Sequence, residues 1–307
     1  MNLAVRSLGV VIPALFLVSC DEMGWIDSER FKEDFHYSYN VPAGGVLSLE
    51  TFNGSVEITG TSADSVEING TKYANTQQAL KDLKIDVQQN GNTIRVKTVR
   101  PYGVRGGMGA RYTIHVPRRF ELERIVSSNG AVRVEDLQGA ANLKTSNGGV
   151  RVSRMQGNLD ATTSNARIET NDLVGDALLH TSNGSVQAEV AKGRFEATTS
   201  NSAIEARLTD PPDQTVRLET SNGHIDLSMK PLRDVRASTS NSSITFHLPS
   251  DPNARLRAHT SNSSITSDVE LVLHGSQSKN SWDGTLGNGG PLIDLSTSNG
   301  GIKLVRQ

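Results

Sequence analysis

An asparagine preceded mostly by Thr-Ser returns ten times along the chain, at Asn53, Asn129, Asn147, Asn165, Asn183, Asn201, Asn222, Asn241, Asn262 and Asn299. From Asn129 to Asn201 the step is 18 residues every time, and it then relaxes to 21, 19 and 21. The last step, of 37, holds an insertion or one degenerate repeat. A unit this short cannot bury an apolar face alone, so successive units must stack and share one core. That requirement narrows the fold more than any other feature of the sequence.

The pattern inside the unit gives its shape. Six and four residues before the Asn stand Ala141/Leu143, Leu159/Ala161, Ala177/Leu179, Phe195/Ala197, Val216/Leu218, Val235/Ala237, Leu256/Ala258 and Ile293/Leu295, with mostly polar residues between them. Apolar residues at every second position mark a strand with one buried face. Leu178, on the polar side, is the exception. Three and five residues after the Asn the alternation resumes, as in Val150/Val152, Ile225/Leu227 and Ile302/Leu304. Each unit therefore reads as strand, corner, strand.

At the corner, an inward Asn followed three residues later by an inward Val or Ile leaves two residues to turn the chain. Gly or another small residue after the Asn suits such a turn, and Asn itself tolerates the left-handed conformation. Asn side chains stacked at one corner can hydrogen-bond along the axis as in cross-β stacks, with the inward Thr two residues earlier adding its hydroxyl to the same network. The ten Asn are thus read as a structural ladder; an exposed sugar-binding row is the competing reading, and Asn241-Ser242-Ser243 also fits a glycosylation acceptor.

A second regularity couples the two halves of the unit. Large residues four before the Asn (Leu49, Ile125, Leu143, Leu179, Leu218, Leu295) go with Asn-Gly, whereas Ala there (Ala161, Ala197, Ala237, Ala258) goes with Asn-Ala or Asn-Ser. Either neighbouring rungs complement each other in volume, or one full turn takes two units and like stacks on like. Ten single rungs at about 4.8 Å make a rod near 45 Å; five double rungs make one about half as long.

The fold class that follows is all-β: a single-stranded β-helix, or β-solenoid, of 18–21-residue Thr-Ser-Asn-Gly repeats with a β-rich N-terminal cap. The repeats span 121–307 with a loop insertion at 270–291, in which Trp282 either covers the rod's end or meets a partner. The cap spans 31–120 and includes the first repeat. Within it, Leu83–Val87 and Thr93–Lys97 form a hairpin through Asn90-Gly91, Gln77–Asp82 form one helical turn, and Gly103–Gly109 form a mobile Gly-rich loop. Such a cap shields a terminal sheet edge that would otherwise aggregate.

The first residues are a separate unit. Arg6, an apolar run from Leu8 to Val18 broken by Pro13, and a small-residue end read as an export signal, too short to span a bilayer. Leu17-Val18-Ser19-Cys20 resembles the bacterial lipobox, and Cys20 is the sole cysteine of the chain. Residues 1–19 are then a lipoprotein signal peptide, Cys20 the lipidation site, and 20–30 a tether. Asp21 resembles an inner-membrane retention signal, but the choice of membrane stays open. The expected location is the bacterial cell envelope, facing the periplasm or the exterior.

With 31 Lys and Arg against 33 Asp and Glu, the chain lacks the basic footprint that nucleic acid requires. His36, His115, His180, His224, His247, His259 and His274 are scattered without metal spacing, and nucleophile-elbow, phosphate-loop and calcium-nonapeptide motifs are absent. No cofactor, no metal and no catalytic residue is expected.

Several stretches carry a family resemblance: Val41-Pro42-Ala43-Gly44-Gly45 leading into Asn53-Gly54-Ser55-Val56-Glu57-Ile58, then Asn90-Gly91-Asn92-Thr93-Ile94-Arg95-Val96, Ile114-His115-Val116-Pro117, the Thr-Ser-Asn-Gly units, and Gly287-Asn288-Gly289-Gly290 before the last of them. Over nearly all of the mature chain this resembles the DUF4097 proteins, also labelled "putative adhesins". The resemblance implies a β-helix of the bacterial envelope and no catalytic residues.

The function expected is a non-enzymatic, lipid-anchored scaffold or adhesin-like binding module, with a cell-wall glycan or an envelope protein as partner. One alternative is a polysaccharide lyase or hydrolase using Glu205 and Asp226, which stand at the same outward position of consecutive repeats and come about 5 Å apart if those repeats stack directly, the spacing of a retaining pair. Another is a regulatory lipoprotein of envelope stress. Exposed terminal edges that pair end to end would make an oligomer.

Overall fold

The computed structural model of the chain describes residues 29–103, 107–211, 214–268 and 271–307. Cys20 and the export signal lie outside the described residues, as do 104–106 of the Gly-rich stretch. Among the described residues there are 27 strands and one short helix, and the strands form two large sheets facing each other. The 14-stranded leading sheet holds the strand before each Asn, and the 13-stranded trailing sheet holds the strand after it.

One repeat makes one full turn. Ala141–Thr145 lies in the leading sheet, the chain turns at Asn147, Val150–Gln156 runs through the trailing sheet, and Leu159–Thr162 returns to the leading sheet directly beside Ala141–Thr145. Neighbouring rungs are parallel and in register: Val150 faces Val132 on one side and Ile168 on the other. The inward residues of both strands close a single core running the length of the rod, with Leu143, Val150, Val152, Phe195, Ile225 and Phe246 each at 1% exposure or less. Leu178 remains on the surface.

The order of rungs in space differs from their order in the chain, and it does so at both ends. At the N-terminal end the outermost rung is Thr93–Val99 with Met108–Pro117, and the sequence-first repeat, Gly45–Glu50 with Val56–Thr61, is slotted between that rung and the Asn129 rung. At the other end the sequence-last repeat, Leu292–Thr297 with Ile302–Arg306, is slotted between the Asn241 rung and the Asn262 rung. Among the described residues the stack has eleven rungs, about 48 Å at the parallel-strand spacing.

This insertion resolves the coupling of large residues with Asn-Gly. In chain order the alternation breaks, because Ala237 is followed by Ala258 and only then by Leu295. In spatial order it is strict from Leu143 onward: Leu143, Ala161, Leu179, Ala197, Leu218, Ala237, Leu295 and Ala258 are successive register partners, while at the N-terminal end Leu49, Ile125 and Leu143 stack large on large. Leu179, Leu218 and Leu295 thus each lie between two Ala, and the Ala leave the volume that the Leu fill, as close packing requires. Neighbouring rungs, not two-repeat turns, are the complementary units.

Antiparallel strands close the N-terminal end in both sheets and the C-terminal end in the leading sheet. Ser65–Ala74 pairs with Met108–Pro117 and carries Phe31–Asn40 as the outermost strand of the trailing sheet, while Lys84–Asn90 folds onto Thr93–Val99 through a turn with Gly91 at φ +57°. The helix Gln77–Asp82 is capped by Thr76, whose Oγ1 accepts from the Ala79 amide at 3.1 Å. Met108 and Gly109 belong to the strand Met108–Pro117 and not to a loop, because Gly109 lies against the Asn53 backbone too closely for a side chain. At the C-terminal end Ser281–Leu286 pairs antiparallel with Ala254–Thr260 and with Leu273–Gln277, so the core of the 270–291 insertion is a hairpin. Trp282 is 8% exposed there, packed on the core with its Nε1 donating to Ser278 O at 3.0 Å.

Candidate functional site: the asparagine edge and the histidine–carboxylate groove

Parity counted from the Val or Ile at +3 predicts inward Asn side chains. The structure turns them outward: from Asn129 to Asn299 every ladder Asn is exposed, and Asn53 is intermediate. The buried positions at the corner are the Thr at −2 (Ser127 in the Asn129 rung) and, at Gly130, Gly148, Gly184 and Gly223, the residue at +1. The phase slip therefore lies between −2 and +1, with Ser and Asn at the apex. Among the described residues none of these Asn has a positive φ, so the left-handed conformation is not what selects it.

What the Asn does is bond its neighbours. In each rung Nδ2 donates to Oδ1 of the preceding rung's Asn, at 2.5–2.8 Å, through Asn53, Asn129, Asn147, Asn165, Asn183, Asn201, Asn222, Asn241, Asn299 and Asn262 in that order. The chain of amides runs one way, and at its N-terminal end Asn53 Nδ2 donates to Met108 O at 2.8 Å. Asn299 standing between Asn241 and Asn262 is the inserted rung seen from the corner. Water competes for every bond of this exposed row, so each contributes modestly. Asn183→Ala is expected to lower stability by only about 0.5–1 kcal/mol in urea unfolding; a loss above about 2 kcal/mol would contradict the exposed geometry.

The Thr at −2 forms a separate, buried ladder. Its Oγ1 donates not to the Asn row but to the backbone carbonyl at +1 of the preceding rung: Thr145 to Gly130, Thr163 to Gly148, Thr199 to Gly184, Thr239 to Gly223 and Thr297 to Ser242, at 2.9–3.0 Å. In the Gly rungs the hydroxyl also accepts from the +1 amide of its own corner, as in Gly148 N to Thr145 Oγ1 at 3.2 Å. At the capped end Thr51 is reached instead by Thr98 Oγ1 at 3.0 Å, and Thr98 bonds the Tyr112 hydroxyl at 2.5 Å. Burial pushes the Tyr112 hydroxyl up from its ordinary range.

On the outer face of the trailing sheet Glu205 and Asp226 are direct register partners, which puts their Cα atoms about 4.8 Å apart. They line an open groove of about 700 Å³ that also takes in Arg207, His224, His247 and the last residue, Gln307. His247 Nε2 lies 3.0 Å from Asp226 Oδ1, and His224 Nε2 lies 3.9 Å from Glu205 Oε1. Gln307 crosses the Asn241 rung, its Nε2 donating to Ser228 Oγ at 3.2 Å and Met229 O at 2.9 Å. Both carboxylates are about half exposed, 51% and 41% by side chain, and no Phe, Tyr or Trp among the described residues lines the groove. It lacks the enclosed cleft in which glycosidases desolvate and distort a sugar ring.

The imidazole partners escape a reading of single residues, yet a signal exists: His224 and His247 stand at +2 and +6, the outward parity of the trailing strand. On the corner opposite the Asn row, Asp136, Arg154 and Asp172 occupy one position in three successive rungs, all with φ between +51° and +58°. Arg154 clamps Asp136 through Nε and Nη2 at 2.8 and 2.9 Å, which holds the Asp136 carboxyl below its usual range. Among the described residues no cluster of three or more His, Cys, Asp and Glu can hold a metal ion, and no helix is long and apolar enough to cross a membrane.

Compared with known proteins, residues 45–305 match a family model described as Toastrack DUF4097. No curated protein matches the chain. Among solved structures it is similar to a "putative cell adhesion protein" from Clostridium sporogenes, at 9% identity over 90% of this chain and 100% of that one with a TM-score of 0.25. It is also similar to a "putative adhesin" from Bacteroides fragilis (14% identity, 89% and 97% covered, TM-score 0.31) and one from Parabacteroides merdae (11%, 90% and 97%, 0.35).

Proposed function

The chain belongs to the Toastrack DUF4097 family, and from that premise we propose that it is a non-enzymatic, lipid-anchored rod of the bacterial cell envelope that acts as a scaffold or adhesin-like binding module. The observation that carries this reading is the unbroken stack of eleven rungs among the described residues, with the N-terminal rung covered in both sheets, the C-terminal rung covered in the leading sheet, and an exposed amide row along one corner. Such a rod holds a polar surface at a fixed distance from its anchor without fraying. Cys20, at the head of the tether, is the proposed lipid attachment, and the histidine–carboxylate groove is the proposed contact for a cell-wall glycan or an envelope protein. Its Arg, Gln, His and carboxylate groups present both donors and acceptors.

A hydrolase or lyase reading is favoured by one observation, the direct register of Glu205 with Asp226. The two readings separate when the detergent-solubilised chain is incubated with purified peptidoglycan and envelope polysaccharides, and retention and soluble fragments are read together. Retention without fragments is expected. Fragment release that disappears in Glu205→Gln or Asp226→Asn would make the protein an enzyme. For the anchor, Cys20→Ser is expected to move the protein from the membrane fraction to the soluble fraction; a chain that stays in the membrane fraction rules out lipid on Cys20.

A further inference from the structure

The leading sheet carries a second open groove, on the side of the rod away from the histidine–carboxylate groove. It holds about 730 Å³, and its floor is the outer face of the strands around Gly45–Glu50 and Phe120–Ser127. Strict alternation turns every second residue of a strand outward. In Phe120–Ser127 a register shift against both neighbouring strands breaks that rule, and the consecutive residues Glu123 and Arg124 are both exposed. The other parallel pairings described in this sheet stay in register. A bulge of this kind re-aims a side chain, and bulges gather beside functional sites.

The side chain re-aimed here is Arg124. It becomes the register partner of Ser48, whose partner on the other edge is Arg95. Two arginines thus stand two strands apart, about 9.6 Å between Cα atoms, with a serine and no carboxylate between them. The next outward position on the same strands shows the alternative, for there Lys97 faces Glu50 at 3.9 Å. Lys144 completes the row on the strand beyond, opposite Val126, the one apolar side chain that lines the groove. Arg95, Arg124 and Lys144 are exposed, and among the described residues none of the three forms an ion pair. Cations held side by side without counter-charge repel one another, and an anion seated among them removes that cost.

The rest of the lining decides the kind of anion. Glu123 and Asp160 accept from hydroxyl donors, and the Ser48 and Thr162 hydroxyls both donate and accept. That mixture suits a sugar acid, which brings hydroxyls along with its charge, whereas a bare anion would meet two carboxylates. No aromatic side chain among the described residues lines the groove, so nothing there stacks a base. The row from Arg95 to Lys144 crosses the strands, and so follows the rod, over three strand spacings or about 14 Å. A polymer spans that row and a single sugar does not. We infer that this groove binds a linear acidic polysaccharide laid along the rod, with Arg95, Arg124 and Lys144 each taking a carboxylate or phosphate of the chain. The site needs neither lipid on Cys20 nor the groove of Glu205 and Asp226, so it stands or falls separately from the function proposed above.

The test titrates the detergent-solubilised chain at low salt with polygalacturonate, with its fully methyl-esterified form and with a phosphomannan, using calorimetry. Binding of at least one acidic polymer is expected, weakened roughly tenfold in Arg124→Gln and in Lys144→Gln. Which polymer binds tells a carboxylate ligand from a phosphate one. Arg133→Gln removes the same charge from the outer face of the trailing sheet, in the Asn129 rung, and should bind like the unaltered chain. All three substituted side chains are exposed, so an unchanged Tm separates lost contacts from a lost fold. Equal binding of the esterified polymer, undiminished binding in Arg124→Gln, an equal loss in Arg133→Gln, or no binding of either acidic polymer overturns the site.

Discussion

Gly223→Ala should be among the most damaging single-methyl changes in this chain, costing on the order of 3 kcal/mol and lowering Tm by roughly 5–10 °C. A Cβ built at Gly223 would meet the Ser202 carbonyl oxygen at 1.6 Å and its carbon at 2.1 Å, and both atoms belong to a backbone held by stacked rungs. The residue has no positive φ, so the glycine is required by close approach and not by conformation. Its neighbour along the rod supplies the contrast. Ser202 occupies the same corner position in a rung with Ala197 at −4, and it is only partly buried, so Ser202→Gly should change stability by less than about 1 kcal/mol. Thermal unfolding of the two variants decides the matter: comparable losses at Gly223 and Ser202 would mean that the corners do not come in two alternating types.

The same alternation shows how far the sequence can be read. Period-2 patterning names the inward residues at −6, −4, +3 and +5 correctly because burial in a solenoid depends on parity alone, and a single buried face leaves no other choice for Phe195/Ala197 or Ile225/Leu227. It also marks the hairpin at Asn90-Gly91, where the turn residues act locally. The order of the rungs does not follow from local chemistry. Nothing near Asn299 says that its rung sits before that of Asn262; only the succession Ala237, Ala258, Leu295 carries the information, as a break in an alternating series that spatial insertion repairs. The orientation of the Asn is lost for a related reason. Parity fixes a side only while the backbone stays extended, and at the corner the slip can fall on either side of the Asn. The groove is half legible: the shared outward position brings Glu205 to Asp226, whereas the crossing of Gln307 to Ser228 depends on where the inserted rung places the end of the chain.

Because the slip falls between the Thr and the residue after the Asn, the less conspicuous member of the motif should matter more to stability. Thr220→Val keeps the shape of the side chain and removes its hydroxyl, which donates to Ser202 O at 3.1 Å and accepts from Gly223 N at 3.2 Å. Thr220 is 8% exposed and Gly223 is buried, so water cannot readily replace either bond. Two backbone groups lose their partner at once, and an unsatisfied buried polar group costs about 1–3 kcal/mol. A loss of roughly 2–4 kcal/mol is therefore expected for Thr220→Val, against about 0.5–1 kcal/mol for Asn222→Ala on the exposed row one turn of the corner away. Thr220→Ser, which keeps the hydroxyl, should recover most of the difference. Urea unfolding of the three variants ranks them directly. If Asn222→Ala proves the more costly, the amide row and not the buried hydroxyl row holds the rungs together, and the outward Asn would then owe its presence at every corner to stability.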